Sequence, residues 1–193
     1  MSDALRFVSA GVGDSAAAIA RLQVPARLQE LADTAELLAG AVAGGATLFF
    51  FGNGGSAADA SHLAAEFVGR CRTDRRALPA VCLSDAGAAV TALANDYGYD
   101  EVFARQLEAF GRPGDVAIAL STSGTSANVL RGLDVARELG LRTIGFSGES
   151  GGDMGERCDV LLRAPSSVTP RIQECHQVWG HVLAEFVEDG VAS

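Results

Sequence analysis

Aromatic residues are scarce in this chain, 6% of its 193 residues. With alanine and glycine abundant in their place, that shortage argues against an all-β or disordered polypeptide and for helices packed tightly on a sheet. Basic charge is short as well. Lysine and arginine number 15 against 24 acids, a formal net charge of −9, so bulk attraction to nucleic acid or to an anionic membrane is not expected. An anionic ligand has to be captured locally. No apolar run approaches membrane-spanning length, and the opening "MSDALRFVSAGVGDS" carries an early acid and no long apolar core, unlike a secretory signal. The four cysteines, Cys71, Cys82, Cys158 and Cys175, form neither a CxxC pair nor a compact disulfide framework. A reduced, cytoplasmic protein with ordinary core thiols is the expectation. Repeats, linkers and low-complexity segments are also missing. The length and the 48% hydrophobic content therefore predict one domain over 1–193 with a sizeable core.

What is present is periodic. From Ser2 to about Ala43, apolar residues recur at three- and four-residue spacing, with Pro25 splitting the stretch into two helices and Gly44-Gly45 ending the second. Alanine-rich helices of this kind allow close approach of subunits, and residues 1–43 are assigned to oligomer packing. From 44 onward, short apolar runs read as buried strands at Thr47–Phe51, Ala80–Leu83, Asp115–Leu120, Thr143–Phe146 and Val160–Arg163. Helical stretches alternate with them at Ala57–Val68, Ala88–Ala94, Val102–Phe110, Ser126–Leu139 and Arg171–Glu188. The alternation predicts an α/β fold with a parallel sheet covered on both faces.

Ligands of open α/β sheets bind beyond the carboxyl ends of the strands, and two loops stand there. "GNGGS" follows the first strand and "STSGTS", Ser121 to Ser126, follows the strand "DVAIAL". Hydroxyls, permissive glycines and open amides at a helix start suit a phosphate or a sugar. The bland reading of "STSGTS" is a set of helix caps, equally weighted when that loop is taken alone; two such loops in one sheet favour a ligand. "GNGGS" has no Lys after its glycines and does not match GxGxxG, so a small phosphorylated molecule fits better than a nucleoside triphosphate or dinucleotide.

His62 and Glu66 lie four apart on the helix after "GNGGS", on one face and within reach of a common metal ion. The HxxxE spacing alone more often marks a surface ion pair; the neighbouring glycine loop is what draws attention to it. The other histidines, His176 and His181, both lie on the last helix. For His176 a surface or interface position is expected. Gln173, Gln177 and His181 fall along one side of this helix, but Glu174 and His181 share a stripe equally well, and spacing does not decide between them.

Taken together, "GNGGSAADASHLAAEFVGR", "ANDYG", "STSGTSANV" and "TPRIQECHQVWGH" occur in order and resemble the phosphoheptose isomerases of the sugar isomerase (SIS) family, over nearly the whole chain from about Leu37 to Glu188. The resemblance implies a three-layer α/β/α, flavodoxin-like sandwich with a central parallel sheet of about five strands, a homotetramer with sites near subunit interfaces, and one zinc ion per subunit. It implies interconversion of sedoheptulose 7-phosphate and D-glycero-D-manno-heptose 7-phosphate, the entry to nucleotide-activated heptose and from there to lipopolysaccharide, capsule or another glycoconjugate. By the same resemblance His62, Glu66, Gln173 and His181 are the metal ligands. Asn53, Gly54 and Gly55, Asn95 and Asp96, and Ser121, Thr122, Ser123 and Ser126 contact the substrate, with Glu66 and Gln173 touching both substrate and metal. Glu66 and His181 are assigned the proton transfers of an enediol mechanism.

Two departures stand out. Pro170 occupies a place where some members carry an acid, and Ala57 and Ala58 make the first loop plainer than in some relatives. Competing readings are a non-catalytic relative that binds the bacterial replication initiator, a sugar-phosphate sensor, and a muramic acid 6-phosphate etherase. The initiator-binding relative typically lacks the acid at Glu66 and the histidine at His181, both present here.

Overall fold

A computed structural model of the chain describes residues 1–192, of Ala192 the backbone alone. Two helices come first, α1 (Asp3–Ala20) and α2 (Pro25–Ala43). The Ser2 hydroxyl caps α1 by accepting from the Leu5 amide at 3.2 Å. Pro25 opens α2, where a missing N–H leaves no helical bond unmade. The alternating part follows: β1 (Leu48–Gly52), α3 (Gly55–Val68), β2 (Ala80–Cys82), α4 (Gly87–Tyr97), α5 (Ala104–Phe110), β3 (Val116–Ser121), α6 (Ala127–Glu138), β4 (Arg142–Ser147), β5 (Val160–Arg163) and α7 (Thr169–Ala192).

The strands form one parallel sheet in the order β2-β1-β3-β4-β5. Because side chains alternate across a strand, the apolar runs feed two cores. Leu48 and Phe50 of β1 join Val116, Ile118 and Leu120 of β3 beneath α2, α3 and α7. Phe49 and Phe51 join Ala117 and Ala119 against α5 and α6. Three layers result, with a flavodoxin-like strand order. Helix α2 belongs to its layer through Ala35, Leu38 and Val42, whereas α1 buries only Ala18.

This order reverses at the boundary of β1 and β3. The chain leaves β1 for β2 on one side and returns to β3 on the other, so the loops after β1 and β3 part at their shared carboxyl end and open a crevice. Among the described residues, no helix is long and apolar enough to cross a membrane.

Candidate active site

Two loops and two helices build the crevice. After β1 the chain turns at Gly54, whose φ of 55° lies in the left-handed region that glycine adopts without a Cβ clash. Helix α3 begins at Gly55, and a Cβ there would overlap the side-chain amide of Gln173 on α7. One turn further, Gln177 Nε2 donates to Asp59 Oδ1 at 2.6 Å. Then Gly180 makes room for Leu63, and His181 Nε2 lies 2.8 Å from His62 Nε2. Contacts advance together along both helices. Thus α3 and α7 run parallel, and Gln173, Gln177 and His181 all face α3. Glu174, the alternative partner for His181's stripe, turns toward α1 instead, where it accepts from Arg171 Nε at 2.7 Å and from the Ser15 hydroxyl at 3.3 Å.

Glu66 Oε1 is 3.5 Å from His62 Nε2. His62, Glu66 and His181 each offer one ligand atom within 4.8 Å of the others, the one such trio of histidine, cysteine or acidic residues among the described residues. Two imidazoles and a carboxylate are a donor set that suits zinc. Gln173 stands at the loop end of the seam, about 12 Å of helix rise before His181. Between them lies Asp59, whose carboxyl is raised by burial against the lowering effects of the Gln177 hydrogen bond and the His62 charge. Its Oδ2 is buried without a partner.

The second loop leaves β3 at Ser121. That hydroxyl lies 3.2 Å from Ser126 Oγ and 3.5 Å from Ser123 Oγ, and accepts the Gly124 amide at 3.2 Å. Ser126 occupies the N-cap position of α6 yet makes no capping hydrogen bond. Its hydroxyl is turned into the serine cluster, and the first-turn amides of α6 keep the open, positive character that attracts an anion. Thr122 and Ser123 line an open cleft of about 450 Å³ that continues past Ser166 and Ser167 to Ile172, the neighbour of Gln173.

Asn53 is held by partners that sequence reasoning did not single out. Its Nδ2 donates to Asn128 Oδ1 at 2.8 Å, while Asn53 Oδ1 accepts from Asn128 Nδ2 and from the Tyr99 hydroxyl, both at 2.9 Å. This network ties the β1 loop to the start of α6 across the crevice. The signal was adjacent: Asn128 closes "STSGTSAN" and Tyr99 follows "ANDYG". Asn95 and Asp96 are exposed near the end of α4, with Asn95 Nδ2 donating to Asp96 Oδ1 at 2.7 Å.

His176 is not at the surface. It is fully buried, 5.7 Å from the Phe146 ring and stacked at 5.8 Å on Trp179, with Nε2 3.2 Å from the Ser147 carbonyl. The expected surface or interface position fails because His176 completes the apolar stripe of Ile172, Cys175, Trp179 and Leu183 that α7 lays on the sheet. Burial pushes its pKa down to about 4.

Comparison with known proteins agrees with this architecture. A SIS domain profile matches residues 10–148. The phosphoheptose isomerase of Rhodospirillum rubrum is 49% identical over 163 residues, which cover 84% of this chain and 87% of its own. This chain belongs to the SIS domain family, among the phosphoheptose isomerases. The profile stops short of α7, but the relative from Bradyrhizobium sp. is 49% identical over 190 residues, 97% of this chain and 96% of its own, so α7 with Gln173 and His181 lies inside the relationship. The solved phosphoheptose isomerase of Neisseria gonorrhoeae has a TM-score of 0.90 at 36% identity, covering 96% of this chain and 98% of that one. The two loops stand at the reversal point, and the His62–Glu66–His181 group stands in the seam that starts there.

Proposed function

We propose that the chain is an aldose–ketose isomerase acting on sedoheptulose 7-phosphate to give D-glycero-D-manno-heptose 7-phosphate. Its membership among the phosphoheptose isomerases supports the reaction. The observation that carries the assignment to residues is the convergence of His62, Glu66 and His181 beside the two ligand loops.

The phosphate is held at "STSGTS" by the hydroxyls of Ser121, Thr122, Ser123 and Ser126 and by the amides opening α6. Asn53, Gly54 and Gly55 line the sugar, with Asn53 fixed by Asn128 and Tyr99. Asn95 and Asp96 supply a further contact. Holding the remote phosphate fixes the reacting carbons in register, which is where such binding energy lowers the barrier. Glu66 removes a proton from C1 of the ketose as the C2 carbonyl oxygen gains one, giving the enediol. Glu66 then returns the proton to C2 while the C1 hydroxyl loses its own, leaving the aldehyde. His181 carries the proton between the two oxygens.

His62, Glu66 and His181 would hold a zinc ion, with Gln173 standing nearer the first loop, against Gly55. The Nε2 atoms of the two imidazoles face each other at 2.8 Å, so α3 and α7 turn both donors toward one place. When bound, the ion polarises the carbonyl and offsets enediolate charge. The four thiols are free, which fits a reducing, cytoplasmic setting, and the product fits the start of activated-heptose and lipopolysaccharide synthesis.

The test is product formation from sedoheptulose 7-phosphate by purified protein as isolated, after chelation, and after zinc is restored. Activity should follow the metal and fall by about 10²–10⁴-fold in Glu66→Gln. A folded, zinc-loaded protein without product would overturn the assignment.

A further inference from the structure

Beyond the loops and the His–Glu–His group lies a buried ion pair that neither binds the ligand nor touches the reacting atoms. The Arg75 side chain is 3% exposed and that of Glu188 1%, with Arg75 Nε 3.5 Å from Glu188 Oε1. Arg75 works mainly on backbone. Its Nη2 donates to the Glu66 carbonyl at 2.7 Å, and its Nη1 to the carbonyls of Phe67 and Gly69 at 2.8 Å each and of Arg76 at 3.0 Å. Glu66, Phe67 and Gly69 sit where α3 ends and its carbonyls run out of helical partners, and a cation there also complements the helix dipole.

Glu188 holds the other half. It lies two turns beyond His181 on α7 and accepts the amides of Arg72 at 2.7 Å and Cys71 at 3.2 Å. The strap 69–76 is thereby fastened to α7 through its own backbone.

We propose that Arg75 and Glu188 form a clasp that positions the Glu66 carboxylate. Glu66 is in the last turn of α3, the part of a helix that frays first, whereas the substrate loop adjoins the first turn. The clasp fastens the last turn to the same helix that carries His181. It holds the base opposite its partner without contributing to substrate capture. Arg75 and Glu188 are thus positioning residues, and the inference rests on the reading of Glu66 as the proton-transfer base.

The first test is Glu188→Gln, with steady-state kinetics on sedoheptulose 7-phosphate and hydrogen exchange at the Cys71 and Arg72 amides. The expected result is a kcat lower by about 10- to 100-fold, KM within about twofold, and faster exchange at both amides. Leu107→Ala, in the core on the opposite face of the sheet, serves as a control for general destabilisation and should keep kcat at a comparable loss of Tm. Should Glu188→Gln not fold, the double variant Arg75→Met/Glu188→Met replaces the pair by apolar side chains, a change that buried ion pairs often tolerate. It should show the same kcat-selective loss. Arg75→Lys, which keeps the charge but not the guanidinium fork on the α3 carbonyls, should also lower kcat at unchanged KM. Where both earlier variants fail to fold, Arg75→Lys decides. Wild-type kcat in a folded variant whose amides exchange fast, an equal loss in Leu107→Ala, or a fully active Arg75→Lys overturns the clasp. An active Glu66→Gln instead overturns the reading of the base, and the exchange data then still report whether the clasp orders the strap.

Discussion

His176 and His181 are five residues apart on α7 and meet opposite surroundings. His181 opens to the crevice opposite His62, while His176 is enclosed by Phe146, Trp179 and the Ser147 carbonyl, with Nδ1 buried and unpartnered. Burial disfavours the imidazolium, so the folded pKa of about 4 lies below the ordinary 6.5. Between those two values the unfolded chain binds the extra proton. The stability that neutral His176 supplies is therefore complete above pH 6.5 and lost as pH falls toward 4, a total of about 3 kcal/mol. Urea unfolding from pH 7 to 4.5 should show this slope in the wild type and a shallower one in His176→Gln, whose side chain does not titrate. Equal slopes in the two proteins would remove His176 as the acid-sensitive group. The apolar stripe of α7 already held the clue in the sequence, but residue type pointed the other way, because histidine is an intermediate between core and surface.

The seam between α3 and α7 is an element-scale device. Side-chain pairing in three successive places, Gln173 on Gly55, Gln177 on Asp59 and His181 on His62, requires the helices to lie close over several turns, and Gly180 permits that where Leu63 faces it. Gly180→Ala gains about 1 kcal/mol of helix propensity but forces a Cβ into Leu63, an overpacking cost of about 1–3 kcal/mol. The net effect should be destabilising, and kcat should fall as His181 moves from His62. In a denaturation cycle with Leu63→Ala the two losses should be less than additive, since the smaller side chain vacates the contested space; strict additivity would mean the seam is not tight at Gly180. At this scale the sequence was informative: every strand appears within one residue of its expected span, because a buried parallel strand is a continuous apolar run that little else imitates. Helix ends were less legible, α7 beginning at Thr169 and running on to Ala192 and α4 extending to Tyr97, since polar residues continue a helix without announcing it. The clasp was not legible at all. Arg75 and Glu188 are 113 positions apart in numbering and look like solvated charges until the fold pairs and buries them.

At the scale of the whole molecule, the charge of −9 coexists with an apolar exterior on the N-terminal helices. Phe7 is 82% exposed, and Leu5, Val8 and Val12 of α1 are exposed with it. Between α2 and α7, Leu28, Leu31, Ala35, Val182 and Phe186 line an open cleft of about 260 Å³. Apolar surface of this kind suits a contact with other chains, and we propose that it packs in the homotetramer the motif resemblance implies. Helix α7 connects that surface to the chemistry: His181 faces α3, whereas Val182, the next residue, faces the cleft. A subunit seated on Val182 and Phe186 would therefore press on the helix that carries His181, and assembly and turnover should be linked. Phe186→Asp places an unpaired charge in the cleft. Sedimentation velocity should show it as a smaller species than the wild type, with kcat reduced and the far-UV spectrum intact. An unchanged assembly would show that the cleft is not the interface, and a dissociated protein with full kcat would show that each subunit completes its site alone.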